Sequence, residues 1–204
     1  MSAADRTSEA AVGGAPSRSR GDVRRDLVQE ADAIDRSIHD AVASTSTPAL
    51  DGPMTWVSNA ATYSRLWVVI AAVLAVAGGH RGRRAAVRGL TAIGATSITA
   101  NLVVKRLVPR RRPTTSTNTE ARRTRMPKSS SFPSGHAASA FAFAAGTTAE
   151  LPQLALPLYA LATAVGYSRV HTGVHYASDV LGGAVLGLAV GTMVPTLGGR
   201  RRSS

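Results

Sequence analysis

The sequence predicts an all-α fold: a polytopic membrane helical bundle of about five transmembrane helices, preceded by an N-terminal amphipathic helix. Three observations predict it. Charge divides the 204 residues into two parts. Residues 1–51 carry six Lys or Arg against nine Asp or Glu, whereas residues 52–204 carry eighteen against three (Glu120, Glu150 and Asp179). A soluble surface mixes both signs, and the second part does not. Its basic residues are also bunched, with long uncharged runs between the bunches. Finally, only 18% of the chain is charged, where soluble domains carry about 25%, and aromatics make up 4%, so any apolar interior is built from Ala, Val, Leu and Gly. The absence of cysteine excludes a disulfide scaffold, a thiolate metal site and a cysteine nucleophile.

Along the chain, residues 1–26 read as a disordered tail of small and polar residues, without the apolar stretch of a secretory signal. Residues 27–53 read as an amphipathic helix and linker. Leu27, Ile34, Ile38 and Val42 alternate there with acidic positions, which suits a helix lying at the membrane, and Pro48 and Pro53 break the chain after it. Residues 54–199 form the membrane-embedded domain and residues 200–204 a basic tail. The uncharged runs within that domain are 66–79 (extending back to Gly52), 89–104, 129–149, 151–168 and 180–199. Crossing a bilayer takes about 20 residues, and terminal Arg and Lys can snorkel to lengthen a short run. Trp56, Tyr63 and Trp67 stand where an interfacial aromatic belt would place them. Gly183, Gly187 and Gly191, like Ala138, Ala142 and Gly146, recur every four residues, a spacing that lets helix backbones approach closely in lipid.

Three clusters put reactive side chains at the edges of these runs: Lys105 to Pro113 (KRLVPRRRP), Phe132 to His136 (FPSGH), and Ser168-Arg169 followed by His171, His175 and Asp179. Ionisable residues at such places are functional by default. Lys and Arg suit phosphate oxygens. Ser134 and the Gly135 amide fall at a helix N-terminus, which favours an anion. His175 and Asp179, four apart, share a helix face, so the carboxylate can orient the imidazole. A carboxylate-oriented His can attack phosphorus while a second His protonates the leaving oxygen. These parts describe metal-free phosphoryl transfer with no cofactor. Five alternating helices also bring Lys105, His136, Arg169 and Asp179 to one side of the membrane.

Lys105-x6-Arg112-Pro113, Pro133-Ser134-Gly135-His136 and Ser168-Arg169-x5-His175-x3-Asp179 together resemble the three signature motifs of the type-2 phosphatidic acid phosphatase family. Its superfamily includes vanadium haloperoxidases and bacterial acid phosphatases. The resemblance covers about residues 54–197 and departs from the commoner pattern in having five spans rather than six. It implies that His175 is the nucleophile, forming a phosphohistidine, that Asp179 orients it, and that His136 is the acid for the leaving group. It also implies that Lys105, Arg112, Ser134, Gly135 and Arg169 hold the phosphoryl oxygens. The expected activity is hydrolysis of a lipid phosphate or diphosphate, such as a polyprenyl phosphate or diphosphate, phosphatidic acid or phosphatidylglycerol phosphate. The expected place is the cell membrane, with the site on the extracytoplasmic face and a membrane lipid as the substrate.

Two rival readings come from other classes. His171, His175 and Asp179, at successive fours, could be metal ligands on one helix face of a metal-dependent membrane hydrolase. A non-enzymatic protein could bind anionic lipid through the basic loop 105–128. That loop lacks aromatics on which bases could stack, so no nucleic-acid partner is expected. Arg106, Arg110, Arg111, Arg122, Arg123 and Arg125 read as solvated or headgroup contacts, and His171 matches no signature position.

Overall fold

The structure, a computed structural model, describes residues 19–113, 122, 124, 126–127 and 129–195. Most of the expected tail, residues 1–18, and the basic tail 200–204 lie outside them. The described residues are helical with no strand. The helices are α1 Arg20–Ser44, α2 Pro48–Ala60, α3 Arg65–Ala77, α4 Gly79–Leu107, α5 Gly135–Thr148, α6 Ala155–His171 and α7 Ala177–Met193. The chain divides into two units between Ala33 and Ile34. In the first, the helix begins at Arg20, earlier than the expected Leu27; the Ser19 hydroxyl accepts from the Asp22 amide and so caps that start.

The prolines act differently from expectation. Pro48 opens α2, where a missing N–H costs nothing, and Pro53 lies inside α2 without ending it. The break comes later, at Tyr63 and Ser64, two successive residues in the left-handed region (φ 54° and 58°). Such residues cost about 1–3 kcal/mol each and persist where surrounding structure dictates them. They bend α2 against the following helix by 62°, so the expected first span is a broken one. The basic segment 80–88, between the first two uncharged runs, is the first part of α4, entered through Gly79 at φ 59°. A π-helical turn over Ala100–Val104 precedes Lys105 near the end of that helix.

α5 is the axis, packing on α4, α6 and α7. Its Ala- and Gly-rich sequence is buried nearly all round, as expected of a helix without a polar face. α7 lies against it along the glycine seam. A Cβ on Gly187 would stand 2.3 Å from the Ala138 carbonyl oxygen, and one on Gly183 2.5 Å from that of Ser134, so only glycine permits this approach. Trp67 of α3 and Phe143 of α5, with ring centroids 5.2 Å apart, anchor the apolar interior together with Ile93, Leu158 and Val165.

Large apolar side chains face outward: Val76 is 85% exposed, Leu156 82%, Leu181 67% and Val185 66%. Small residues inside and large apolar ones outside reverse the soluble pattern and suit a lipid surround. By length and apolarity, α4 alone qualifies as a span among the described residues, or two spans do if the bent α2–α3 pair counts as one. α5, α6 and α7 have 14, 17 and 17 residues, at or below the usual spanning length of about 17–25.

Candidate active site

The site lies where α4 ends, α5 begins, α6 ends and α7 begins. The turn between α6 and α7 places His175. Gly173, at φ 68°, reverses the chain, and the Arg169 carbonyl accepts from the amides of both Val174 and His175, at 3.0 and 3.1 Å. His175 is therefore held rigidly and buried, 2% exposed.

Its ring is flanked on both sides. Nδ1 lies 3.5 Å from the Asp179 carboxylate, at the outer limit of a hydrogen bond, so that carboxylate acts on the ring mainly through its charge. Nε2 lies 3.0 Å from an Arg112 N–H. A guanidinium can only donate, so Nε2 accepts and the ring proton sits on Nδ1, facing Asp179. That leaves the Nε2 lone pair directed at the cationic side. Burial pushes the His175 pKa down to about 4, with the Arg112 and Arg169 charges adding to that and Asp179 opposing it. At neutral pH the ring is an uncharged base.

Asp179 is fully engaged. One oxygen accepts from the Ser131 hydroxyl in a very short contact and from the Tyr176 amide at 2.9 Å; the other takes Arg110 at 2.9 Å. Its backbone carbonyl accepts from the Ser134 amide at 2.9 Å, tying the first turn of α7 to the first turn of α5. Ser134 is the residue before α5, Gly135 begins it and His136 follows, so all three stand at that helix N-terminus. The Ser134 hydroxyl and His136 Nε2 are buried without a partner.

The cations differ in their partners. Arg112 donates to the carbonyls of Ser129, Ser130 and Val174. Arg169 is 3% exposed; it donates to the Ser58 hydroxyl in a very short contact, and its Nε has no partner. Lys105 donates to Asn101 at 2.9 Å. None of the three has a carboxylate partner among the described residues. Arg169 is buried and Lys105 and Arg112 are half-buried; cations drawn out of water without counter-ions favour a bound anion, so this group can hold a phosphoryl dianion beside Nε2.

Sequence reasoning missed several residues. Sequence alone reads Arg110 as a solvated or headgroup contact, yet it bridges Asp179 and Asp35 of α1, at 2.9 and 2.7 Å. Arg122, read likewise, is buried and paired with Asp51 at 2.7 Å. His171 turns to the same Asp51, at 2.9 Å, instead of joining His175 and Asp179 in a ligand set. Among the described residues no group of three or more His, Asp and Glu is placed to hold a metal ion. The one available signal was the presence of acids in the amphipathic segment at positions that could meet the basic loop. Arg123 and Arg125 lie outside the described residues.

The model of the PAP2 superfamily matches residues 85–203. The chain belongs to that superfamily. It is 37% identical over 143 residues to a decaprenylphosphoryl-5-phosphoribose phosphatase of Mycobacterium tuberculosis, a match spanning 67% of this chain and 73% of the relative. Among solved structures it is similar to a transmembrane PAP2-type phosphatidylglycerolphosphate phosphatase from Bacillus subtilis, with TM-score 0.63, 28% identity, and 81% and 84% of the two chains covered. It shares the fold of Aquifex aeolicus LpxE, with TM-score 0.59, 22% identity, and 78% and 92% covered. The chain is accordingly a phosphatase of the PAP2 superfamily, similar to members that are transmembrane or named for lipid phosphate substrates.

Proposed function

We propose that this phosphatase works without a metal, through a phosphohistidine on His175, in a bundle that crosses the cell membrane five times with its site on the extracytoplasmic face. The observation carrying the reading is the buried His175 ring, backed by Asp179 and fronted by three cations without a carboxylate partner among the described residues. Its substrate is a polyprenyl phosphate or diphosphate, phosphatidic acid or phosphatidylglycerol phosphate. The mycobacterial relative's named substrate favours the polyprenyl class.

In the first step His175 Nε2 bonds to phosphorus, the P–O bond to the leaving group breaks, and His136 gives that oxygen a proton. Lys105, Arg112, Arg169, the Ser134 hydroxyl and the Gly135 amide hold the three phosphoryl oxygens as charge builds on them. Water then attacks phosphorus, His136 takes back a proton, the P–N bond breaks, and inorganic phosphate leaves a neutral His175. The Nδ1 proton stays facing Asp179 throughout.

Five crossings follow if the bent α2–α3 pair and α4 to α7 each span the bilayer. Lys105, His136, Arg169 and Asp179 then fall on one side and the C-terminus on the other, in the cytoplasm. A C-terminal reporter active only outside the cytoplasm would reverse that orientation. The chemistry is tested with purified protein on the lipid panel. Activity is expected to survive EDTA, vanadate to inhibit, and His136→Ala to lower lipid phosphate turnover by about 10²–10⁴-fold, with a smaller loss in phosphorylation by an aryl phosphate whose leaving group needs no proton. Loss in EDTA restored by zinc would replace this mechanism with a metal-dependent one.

A further inference from the structure

Two cations of the phosphate site are held by oxygen atoms that carry no charge. Arg169, in the last turn of α6, donates to the Ser58 hydroxyl of α2 in a very short contact. Lys105, near the end of α4, donates to the Asn101 side-chain oxygen at 2.9 Å. Neither Ser58 nor Asn101 belongs to the three motifs, and Ser58 lies ahead of the residues that the superfamily model matches.

Both holders are unusual for their surroundings. Ser58 and Arg169 are buried together. An arginine drawn that far out of water ordinarily meets a carboxylate, and one is close by. Asp51 stands seven residues before Ser58, two turns back on the same face of α2, and is buried too. Its Oδ1 accepts from Arg122 Nε at 2.7 Å and lies 2.9 Å from Nε2 of His171, two residues beyond Arg169. α2 thus meets the end of α6 with two polar side chains. The acid goes to His171, and the hydroxyl goes to Arg169. Asn101 sits in the π-helical turn Ala100–Val104, a kind of turn that recurs at functional sites, and its side chain alone in that turn can form hydrogen bonds. The neighbouring Ile98, Leu102 and Val103 are exposed and apolar. An amide in such company is costly unless partnered. Its partner is the Lys105 ammonium four residues on, which can only donate.

A neutral oxygen and a carboxylate can both fix where a cation points, but they differ in what remains. The carboxylate cancels the charge and competes with any anion that arrives later. The neutral oxygen leaves the charge for that anion. We infer that Ser58 and Asn101 are positioning residues of the phosphate site, aiming Arg169 and Lys105 at the phosphoryl oxygens through hydrogen bonds that leave both charges uncancelled. This rests on the phosphatase reading and adds two residues that act through the cations.

The test measures vanadate binding to the full-length protein in detergent micelles by calorimetry, with vanadate standing in for the phosphoryl group, alongside melting midpoints. Each position is judged by its own pair of variants. Ser58→Ala and Asn101→Ala are expected to weaken binding about three- to tenfold, the loss of one hydrogen bond. Ser58→Asp and Asn101→Asp are expected to weaken it about tenfold or more beyond alanine, because the added carboxylate competes for the cation, with a melting midpoint no lower than alanine's. Asn101→Gln keeps the amide oxygen and is expected to bring binding back towards wild type. A merely structural role would move the midpoint without placing the acid below alanine in affinity. An acid variant that binds vanadate as well as its alanine counterpart, or losses that follow the midpoint alone, overturns the inference at that position. If Ser58→Asp does not fold, Ser58→Ala decides: unchanged vanadate binding there overturns the role of Ser58. In either case the phosphatase reading stands. Wild-type protein no more active than His175→Ala on the lipid panel would overturn that reading and this inference with it.

Discussion

The two ends of α4 and α5 hold buried charge in opposite ways. At the end where α4 begins and α5 finishes, Glu150 is shared by Arg84 at 3.1 Å and Arg88 at 3.9 Å. Cations there meet an acid. At the other end, acids are present but selectively spent: Asp35 and Asp179 hold Arg110, and Asp51 holds Arg122 and His171. Arg112, Arg169 and Lys105, in the same neighbourhood, have only neutral partners among the described residues. Charge pairing of the first kind ties helices together. The second kind keeps some cations in place with carboxylates and leaves others open to an anion.

The largest effect separating the ends is expected at the ring the open cations surround. His175→Ala abolishes turnover of every substrate and the acid-labile phosphoenzyme with it, measured by trapping radiolabelled phosphate. A variant that still forms the phosphoenzyme would move the nucleophile elsewhere.

Next come two arginines, one at each end. Arg169→Ala is expected to lower kcat by about 10²–10³-fold, the usual cost of one oxyanion donor. Arg84→Ala removes a bridge whose arginine side chain is 38% exposed; such pairs are worth about 0–1 kcal/mol, so activity should change less than twofold. Equal losses would erase the contrast between the two ends.

A smaller effect tests whether the paired cations at the catalytic end position the site. Asp35 touches no reacting atom, yet it holds Arg110 and the Ser178 amide next to Asp179. Asp35→Asn is expected to reduce kcat about tenfold, as loss of an orienting partner does, with KM little moved. A drop in melting midpoint without a change in kcat would make Asp35 structural only.

The smallest effect is a pH dependence. The folded pKa of His175, about 4, lies below its ordinary 6.5. Between those values the unfolded chain binds more protons than the folded one, so stability rises with pH there, by at most about 1.4 kcal/mol per unit from this group. An NMR titration of the ring should show a midpoint near 4, and His175→Gln should flatten the denaturation profile between pH 4 and 6.5. A midpoint near 6.5 would mean a solvated ring, more like a surface histidine than one enclosed by this cage.

Much of this was legible beforehand. Uncharged runs separated by basic bunches, and glycines every four residues, dictate helices packed closely in an apolar surround, because each backbone must satisfy its hydrogen bonds within itself. The three motifs were readable because Lys, Arg, Ser, Gly, His and Asp at the edges of such runs have few inexpensive structural uses. The sequence by itself thus determined the helical bundle and the residues available for phosphate chemistry. Motif spacing separates Arg112 and Arg169 from the other arginines, but the acids that occupy Arg110 and Arg122 are brought to them only by tertiary structure. Arg110 and Arg112 are two residues apart and chemically identical, and what distinguishes them in the fold is Asp35, 75 positions before Arg110. The turn at Tyr63 and Ser64 was equally hidden: neither residue type announces a left-handed backbone, and only its surroundings hold it there. Local pattern reports what each residue prefers, whereas the neutralising of a charge or the bending of a helix depends on partners brought near by the whole fold.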